Sequence, residues 1–340
     1  MEAKAALLVN LGSPDSPTEE DVRRYLNEFL MDKNVIDLPW PLRRLIVSLF
    51  VLPKRPAQSA KAYSSVWTDE GSPLVTICYR LLEQVRQYTD MPVELAMRYG
   101  RPDMESAIVK LAGNPEIKEL LLFPLYPHYA MSTVKTVIDK AQAIISDNQL
   151  PISLNVHPIF YDHDDYIGAL VNSARPWLEK DYDHLIFSYH GVPERHISKD
   201  DPTRSHCLKS DDCCHKPSHA HHTCYRHQIY RTSASFVEKA NIPVDKYSVA
   251  FQSKLGRDKW LEPSTLDTIR QQAKQGAKKL LVICPAFVAD CLETLEEIGM
   301  EAREEFIKAG GESLELIPCL NDNPEWAKLL SRWLEEPLKA

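Results

Sequence analysis

Short apolar runs alternate with longer amphipathic stretches along most of this 340-residue chain, and this alternation restricts the fold more than any other feature. Apolar strands separated by helices are typical of parallel sheets with helices packed on both faces. The sequence therefore predicts the α/β class. The predicted strands are 5–10, 92–97, 118–123, 152–158, 184–189, 246–251, 279–284 and 313–317.

The amphipathic stretches between these runs predict nine helices. Two have recognisable starts, because Ser16 precedes Pro17 and an acidic turn, and Asn323 precedes Pro324. A capping side chain followed by proline favours helix initiation. The predicted helices are 18–31, 73–89, 103–113, 131–147, 163–179, 225–240, 263–276, 291–309 and 324–336.

A weak internal repeat relates the two halves of the chain. Residues 7–14 align with 186–193, with Gly and Pro in register, and residues 120–124 align with 281–285. This repeat predicts two similar α/β lobes. The alternative is that an apolar strand followed by Gly-x-Pro is simply common in α/β proteins.

We expect the two lobes to span residues 1–150 and 151–340. Ligands of open α/β sheets bind beside the carboxyl ends of the strands, so a cleft between the lobes is expected. In the register of the repeat, Leu11 and His190 occupy equivalent positions. We expect them to face each other across this cleft.

The composition excludes several functions and locations. A net charge of -8 argues against nucleic-acid binding, which requires a basic surface. The apolar run 5–9 is too short for a signal peptide, and no run approaches the ~18 residues of a membrane span. We therefore expect a cytoplasmic protein, in which clustered cysteines indicate a metal rather than disulfides.

Segment 36–57 interrupts the alternation, since it is apolar and broken by four prolines. It predicts a flexible lip over an apolar ligand or a contact with a membrane surface. An ordinary core helix with prolines at its ends fits the pattern equally well.

Segment 199–227 is a polar insertion with four cysteines and six of the twelve histidines. Its C-x5-C-C-x9-C spacing matches neither zinc ribbons nor ferredoxins. Four thiolates fit tetrahedral zinc or a [2Fe–2S] cluster, and unligated thiols are the alternative. The cysteines are Cys207, Cys213, Cys214 and Cys224, and the histidines that could replace one of them are His206, His215, His219, His221 and His222.

Two groups of side chains could carry chemistry. His190 ends an apolar strand, and Gly191 permits a sharp turn there. A neutral imidazole at this position can accept a proton or ligate a metal, although a histidine with only a structural role is the simpler interpretation. Asp290, Glu293 and Glu297 are spaced three and four apart, which places them on one helix face. They predict a row of carboxylates that moves protons or guides a cation, unless they only stabilise the helix start.

Seven groups of motifs, in order along nearly the whole chain, resemble those of one family. They are 8–14, 63–67 with 71–74, 97–100, 124–129, 187–193, 251–253 with 260–263, and 287–295. The chain is similar to ferrochelatases, lyases that insert ferrous iron into a porphyrin at the end of haem synthesis. The resemblance implies two Rossmann-like lobes with parallel four-stranded sheets of the chelatase type, and a porphyrin held in the cleft.

The resemblance also implies roles for individual residues. His190 would handle the metal and the protons, with Glu293 as its carboxylate partner. Asp290 and Glu297 are expected to act as a relay because of their spacing from Glu293. Metallation releases two pyrrole protons, so a base beside the ring suits this reaction. The expected porphyrin contacts are Leu11, Arg55, Ser72, Arg98, Tyr99, Tyr126 and Trp260.

The sequence departs from the family pattern at several positions. Cys291 stands where many relatives have histidine, and His128 and Ala130 replace glutamine and serine. Leu11 stands where the coproporphyrin branch has tyrosine, which favours protoporphyrin IX as the substrate.

The insertion 199–227 resembles that of a bacterial subgroup with a [2Fe–2S] cluster, which ranks this cluster above structural zinc. Cys78, Cys284 and Cys319 lie in apolar surroundings that suit core packing. Two other functions remain open: a cobalt or nickel chelatase of another tetrapyrrole, and a non-enzymatic iron–sulfur redox sensor.

Overall fold

The computed structural model describes residues 3–254 and 258–338. These residues form two compact units. Unit 1 contains the chain up to Tyr126, Met131–Pro158 and the stretch from Asp322 onward. Unit 2 contains Pro127–Ala130 and Ile159–Asn321.

Strands and helices alternate along the described residues. The first part of the chain forms β1 (Ala3–Ser13), α1 (Glu19–Leu30), α2 (Trp40–Ile46), α3 (Arg55–Val66), α4 (Pro73–Val85), β2 (Val93–Gly100), α5 (Met104–Ala112), β3 (Ile117–Pro124), α6 (Thr136–Asp147) and β4 (Ser153–Val156). The remainder forms α7 (Asp164–Leu178), β5 (His184–His190), α8 (Glu194–Lys199), α9 (Tyr225–Ala240), β6 (Tyr247–Gln252), α10 (Thr265–Lys274), β7 (Lys279–Ile283), α11 (Leu292–Leu295), α12 (Arg303–Lys308), β8 (Ser313–Leu316) and α13 (Pro324–Glu335).

Each unit is built on a parallel four-stranded sheet. The strand order is β2-β1-β3-β4 in unit 1 and β6-β5-β7-β8 in unit 2. The central strands are fully buried; residues 5–9 of β1 and 185–187 of β5 have no exposed surface. The identical strand order agrees with the predicted repeat, and the predicted α/β fold with two parallel four-stranded sheets is confirmed.

The described elements contain all eight predicted strands, with ends shifted by a few residues. The predicted helix 291–309 is interrupted, because a π-helical turn (Glu297–Ala302) separates α11 from α12. Helix α8 was not predicted, since its six residues lack a readable periodicity.

The division into units differs from the predicted boundary, because α13 belongs to unit 1. Its Ser331 hydroxyl donates to the carbonyl of Val85 in α4 (3.1 Å), and Trp333 stacks on Phe123 and His157. The predicted lobe 151–340 therefore includes a helix, α13, that belongs to unit 1.

The carboxyl ends of β1 and β2 approach each other closely at Gly12. This glycine has φ +106°, and a Cβ placed on it would lie 1.8 Å from the carbonyl oxygen of Tyr99. Only glycine fits this position, which keeps the end of β1 close to Tyr99.

Segment 36–57 forms α2, a π-helical turn (Val47–Val51) and the start of α3. Its large apolar side chains are mostly exposed, which does not suit the alternative of an ordinary core helix. The exposed fractions are 63% for Trp40, 45% for Leu42, 50% for Leu45, 60% for Leu49 and 70% for Phe50. Across residues 3–254 and 258–338, we find no helix with the length and apolar character needed to cross a membrane.

Candidate active site

His190 is the last residue of β5, at the carboxyl edge of the unit 2 sheet. Its Nδ1 donates to the carbonyl of Gly191 (2.6 Å). This bond places the proton of the neutral imidazole on Nδ1 and leaves the lone pair on Nε2. His190 is half-buried, so the ring remains partly accessible.

Gln252 lies beside His190 at the end of β6 and connects the strands to residues 290–297, the acidic segment. Its Nε2 donates to the Glu293 carbonyl (2.7 Å) and more weakly to the Glu297 carboxylate (3.3 Å). Its Oε1 accepts from Ser188 (2.7 Å). The amide therefore fixes the start of the acidic segment against the sheet edge, next to His190.

Glu297 is the carboxylate for which the structure gives an electrostatic link to His190. It accepts hydrogen bonds from Ser253 and Gln252. Burial raises its pKa above the ordinary value of 4.5, while the hydrogen bond from Ser253 and the nearby His190 act in the opposite direction. Glu293 lies close enough to contribute to the rise. A carboxyl group with a raised pKa is suited to accept and release protons.

Asp290 does not share a helix face with Glu293 and Glu297, so that prediction is wrong. Helix α11 begins at Leu292, and Asp290 precedes it. Its buried carboxylate accepts from the Thr294 hydroxyl (2.8 Å) and the Asn321 amide (2.7 Å). These bonds hold the loop together and engage both oxygens.

Cys291 caps α11 through reciprocal bonds with Thr294 and contacts the Glu293 carboxylate. Its pKa is raised well above the ordinary value, first by burial and then by the charge of Glu293. Cys291 is therefore a neutral thiol beside the predicted site carboxylate.

Trp260 packs against the turn that follows His190. A Cβ on Gly191 would lie 3.2 Å from its ring, so Gly191 allows this approach. The indole is buried, and its N–H has no partner among the described residues.

In unit 1, Arg98 and Tyr99 belong to a buried network around Asp32. The Arg98 guanidinium pairs with Asp32 and donates to Thr136 Oγ1 (2.8 Å), and the Tyr99 hydroxyl donates to Asp32 (2.8 Å). Thr136 also donates to Asp32. Tyr99 has no exposed surface, so the structure places it behind Arg98 rather than on a ligand-accessible surface.

The other predicted porphyrin contacts occupy separate positions in unit 1. Leu11 is half-buried near the end of β1, and Arg55 is exposed at the start of α3. Ser72 is the buried N-cap residue of α4, and Tyr126 is 8% exposed.

The four clustered cysteines are buried in unit 2 and lie close together. The thiols of Cys207 and Cys214 each share a hydrogen bond with Cys224. These bonds lower the pKa of Cys224 and raise those of Cys207 and Cys214. Arg226 donates to the sulfur of Cys213 (3.8 Å).

Histidines of the insertion bind backbone carbonyls of the cysteines. His206 and His221 each donate to the carbonyl of Cys213 (2.8 and 3.3 Å), and His227 donates to that of Cys214 (2.7 Å). Nowhere in the described ranges do three or more His, Cys, Asp or Glu side chains adopt an arrangement that could hold a metal ion.

Comparison with known proteins identifies the family. A family model described as Ferrochelatase matches residues 3–338. A ferrochelatase of Pseudomonas fluorescens strain Pf0-1 is 56% identical over 337 residues, which are 98% of this chain and 98% of that relative. This chain belongs to the ferrochelatase family. A ferrochelatase of Pseudomonas putida strain W619 is 54% identical, over 99% of this chain and 100% of that relative.

Solved chelatase structures share the fold of this ferrochelatase. SirB from Bacillus subtilis with Fe3+ has a TM-score of 0.56 at 10% identity and covers 98% of this chain and 95% of its own. The sirohydrochlorin chelatase SirB from subspecies spizizenii, in complex with cobalt, has a TM-score of 0.53 at 10% identity, over 98% and 96%. At this identity the similarity concerns the fold alone.

As a ferrochelatase, the protein is a lyase that inserts Fe2+ into protoporphyrin IX in haem biosynthesis. Ferrous iron is therefore a substrate. The full-length match decides against a cobalt or nickel chelatase and against a redox sensor without enzymatic activity.

Three residues that bond to predicted site residues, Gln252, Ser253 and Asp32, were not themselves predicted, although 251–253 is one of the matched motifs. Gln252 and Ser253 directly follow an apolar parallel strand, where polar side chains reach the ligand edge of a sheet, so this signal could have found them. Asp32 follows α1 and carries no comparable signal, because its partner Arg98 is 66 residues away.

Proposed function

We propose that His190 is the base of the metallation reaction. Fe2+ and a porphyrin with two pyrrole N–H groups give the iron porphyrin and two protons. The Nε2 lone pair of His190 accepts a pyrrole proton, because Nδ1 is engaged with the Gly191 carbonyl (2.6 Å). This hydrogen bond is the observation that best supports the role.

Glu293 and Glu297 carry the proton onward or guide the incoming cation. Glu297 has a raised pKa and lies within electrostatic reach of both His190 and Glu293. Asp290 has a different role, since its two oxygens accept hydrogen bonds that organise the loop.

His190→Ala and Glu293→Gln test these roles. His190→Ala should abolish iron insertion while porphyrin binding stays measurable by fluorescence quenching. Glu293→Gln keeps the size of the side chain but removes the charge, so it should also lose most turnover. Activity of His190→Ala within about threefold of wild type, or normal turnover of Glu293→Gln, would remove that residue from the mechanism.

Arg98 binds a porphyrin propionate, with Tyr99 and Asp32 holding its guanidinium in place. The side chain is 12% exposed and is oriented by Asp32 and Thr136, so it loses little freedom on binding. Leu11 leaves an apolar surface suited to protoporphyrin IX. Arg98→Met should raise the porphyrin Kd, and Leu11→Tyr should shift selectivity towards coproporphyrin; an unchanged Kd or selectivity contradicts the respective role.

A [2Fe–2S] cluster is held by Cys207, Cys213, Cys214 and Cys224. Four buried sulfurs form a soft donor set with the number of ligands that a [2Fe–2S] cluster requires. The carbonyls of Cys213 and Cys214 are already fixed by histidine side chains, which supports a structural role for the group when bound.

The cluster proposal is tested by spectroscopy. Each single Cys→Ser change at these four positions should bleach the visible absorption of protein purified without oxygen. Cys291→Ser is the matched control, since this buried thiol lies beside Glu293, and it should keep the colour. Colour that survives loss of Cys213, or stoichiometric zinc in place of iron and sulfide, would refute the assignment.

The exposed apolar side chains of segment 36–57 contact the porphyrin and provide a peripheral contact with the cytoplasmic membrane face. Leu49 and Phe50 are 60% and 70% exposed, so an Asp at either position costs little folding energy. Leu49→Asp and Phe50→Asp should therefore weaken porphyrin binding, and sedimentation with phosphatidylglycerol vesicles, more than they lower Tm. A large fall in Tm with unchanged binding would show instead that the segment is part of the core.

A further inference from the structure

Tyr225 links the cysteine segment to the catalytic strand end. It is the first residue of α9 and directly follows Cys224. Its side chain is buried, and its hydroxyl donates to the backbone carbonyl of His190 (3.0 Å).

The peptide group between His190 and Gly191 is held at both of its polar ends. Tyr225 binds the His190 carbonyl, and the Gly191 N–H donates to the backbone carbonyl of Gln252 (2.8 Å). The next carbonyl, that of Gly191, accepts the Nδ1 proton of the catalytic ring. Loss of the Tyr225 bond removes one of the two anchors of this peptide, so the carbonyl that orients the imidazole is held less firmly.

The first turn of α9 is in turn fixed by the cysteine segment. The Cys224 side chain forms hydrogen bonds with the thiols of Cys207 and Cys214. One turn further, the fully buried Gln228 donates to the carbonyls of His221 and His222 (3.0 Å each). The position of the Tyr225 hydroxyl therefore depends on the packing of this segment.

We propose that Tyr225 is a positioning residue for His190 and couples the packing of the four-cysteine segment to the active site. This inference rests on the proposed role of His190 as the base. It assigns the insertion a function in turnover in addition to its contribution to the stability of unit 2.

Tyr225→Phe removes one hydroxyl without creating a cavity. We expect kcat to fall about three- to tenfold, as for loss of one buried hydrogen bond, while the KM for porphyrin changes less than twofold. The visible absorption should persist, and amide exchange at Gly191 should accelerate, because its peptide has lost one of two anchors. Tyr166→Phe is the control, since its buried hydroxyl also donates to a backbone carbonyl, that of Pro285 (2.6 Å). It should leave kcat and Gly191 exchange unchanged.

Coupling is tested with Gln228→Met, which removes the two hydrogen bonds to the His221 and His222 carbonyls but keeps the size of the side chain. Gln228→Met should lower kcat and accelerate Gly191 exchange in the wild-type background, but should change either quantity in Tyr225→Phe by less than twofold. Equal effects of Gln228→Met in both backgrounds, or unchanged Gly191 exchange in Tyr225→Phe, would overturn the proposal. Gly191 exchange is measured without turnover, so it tests the Tyr225 anchor by itself. The role of His190 as the base is tested separately, because an active His190→Ala would refute it.

Discussion

The buried pair of Asp32 and Arg98 allows a quantitative prediction for Asp32→Asn. The side chains are 5% and 12% exposed, and Asp32 also accepts from Tyr99 and Thr136. Asparagine keeps the size but removes the charge, so it leaves the Arg98 guanidinium buried without its counter-ion. Breaking a buried pair in this way costs ~3–5 kcal/mol.

This cost is large enough to measure by thermal unfolding. A loss of ~3–5 kcal/mol lowers the Tm of a unit of this size by about 6–20 °C. Glu19→Gln is the control, because Glu19 is 52% exposed and pairs with Arg23 at the surface of α1. Its loss should cost at most about 1 kcal/mol.

Two results would refute this reasoning. One is Asp32→Asn within about 1 kcal/mol of the wild type, which would mean that Arg98 is not buried with an unpaired charge. The other is the double variant Asp32→Asn/Arg98→Met being less stable than Asp32→Asn alone, because removal of the unpaired charge should recover stability. Porphyrin titration of the same proteins should show weaker binding for Asp32→Asn, since Arg98 loses its orientation.

Two further predictions concern backbone space and pH. Gly12→Ala should destabilise the protein by more than about 3 kcal/mol, because its Cβ would lie 1.8 Å from the Tyr99 carbonyl oxygen and its φ is positive. Gly168→Ala in α7 should be neutral or stabilising, because no described atom lies within 4 Å of its Cβ. Calorimetry distinguishes these outcomes. Glu297→Gln should raise Tm at neutral pH and lose that gain below pH 4.5, the ordinary carboxyl pKa. In the wild type, the folded state binds the Glu297 proton more tightly than the unfolded state does. Protonated Glu297 therefore contributes stability below the unfolded pKa, and this contribution disappears as pH rises through the folded pKa. A Glu297→Gln variant that is less stable than the wild type at pH 8 contradicts the raised pKa.

The local sequence was enough to predict the strands, the parallel sheets and the position of His190. Apolar periodicity and turn residues act over a few neighbouring residues, so they can be read without a structure. Polar residues that end an apolar strand, such as His190 and Gln252, are in the same category, because the carboxyl edge of a parallel sheet follows from the strand direction.

Pairings between distant segments were decided by the tertiary structure alone. Asp32 meets Arg98 across 66 residues, and Tyr225 reaches the His190 carbonyl across 35. Asp290 was assigned to a helix face from its spacing, but α11 starts after it and its oxygens bind Thr294 and Asn321. Spacing along the chain reports only local neighbours, whereas these contacts depend on how helices and strands pack, and that packing is fixed by the burial of the whole core.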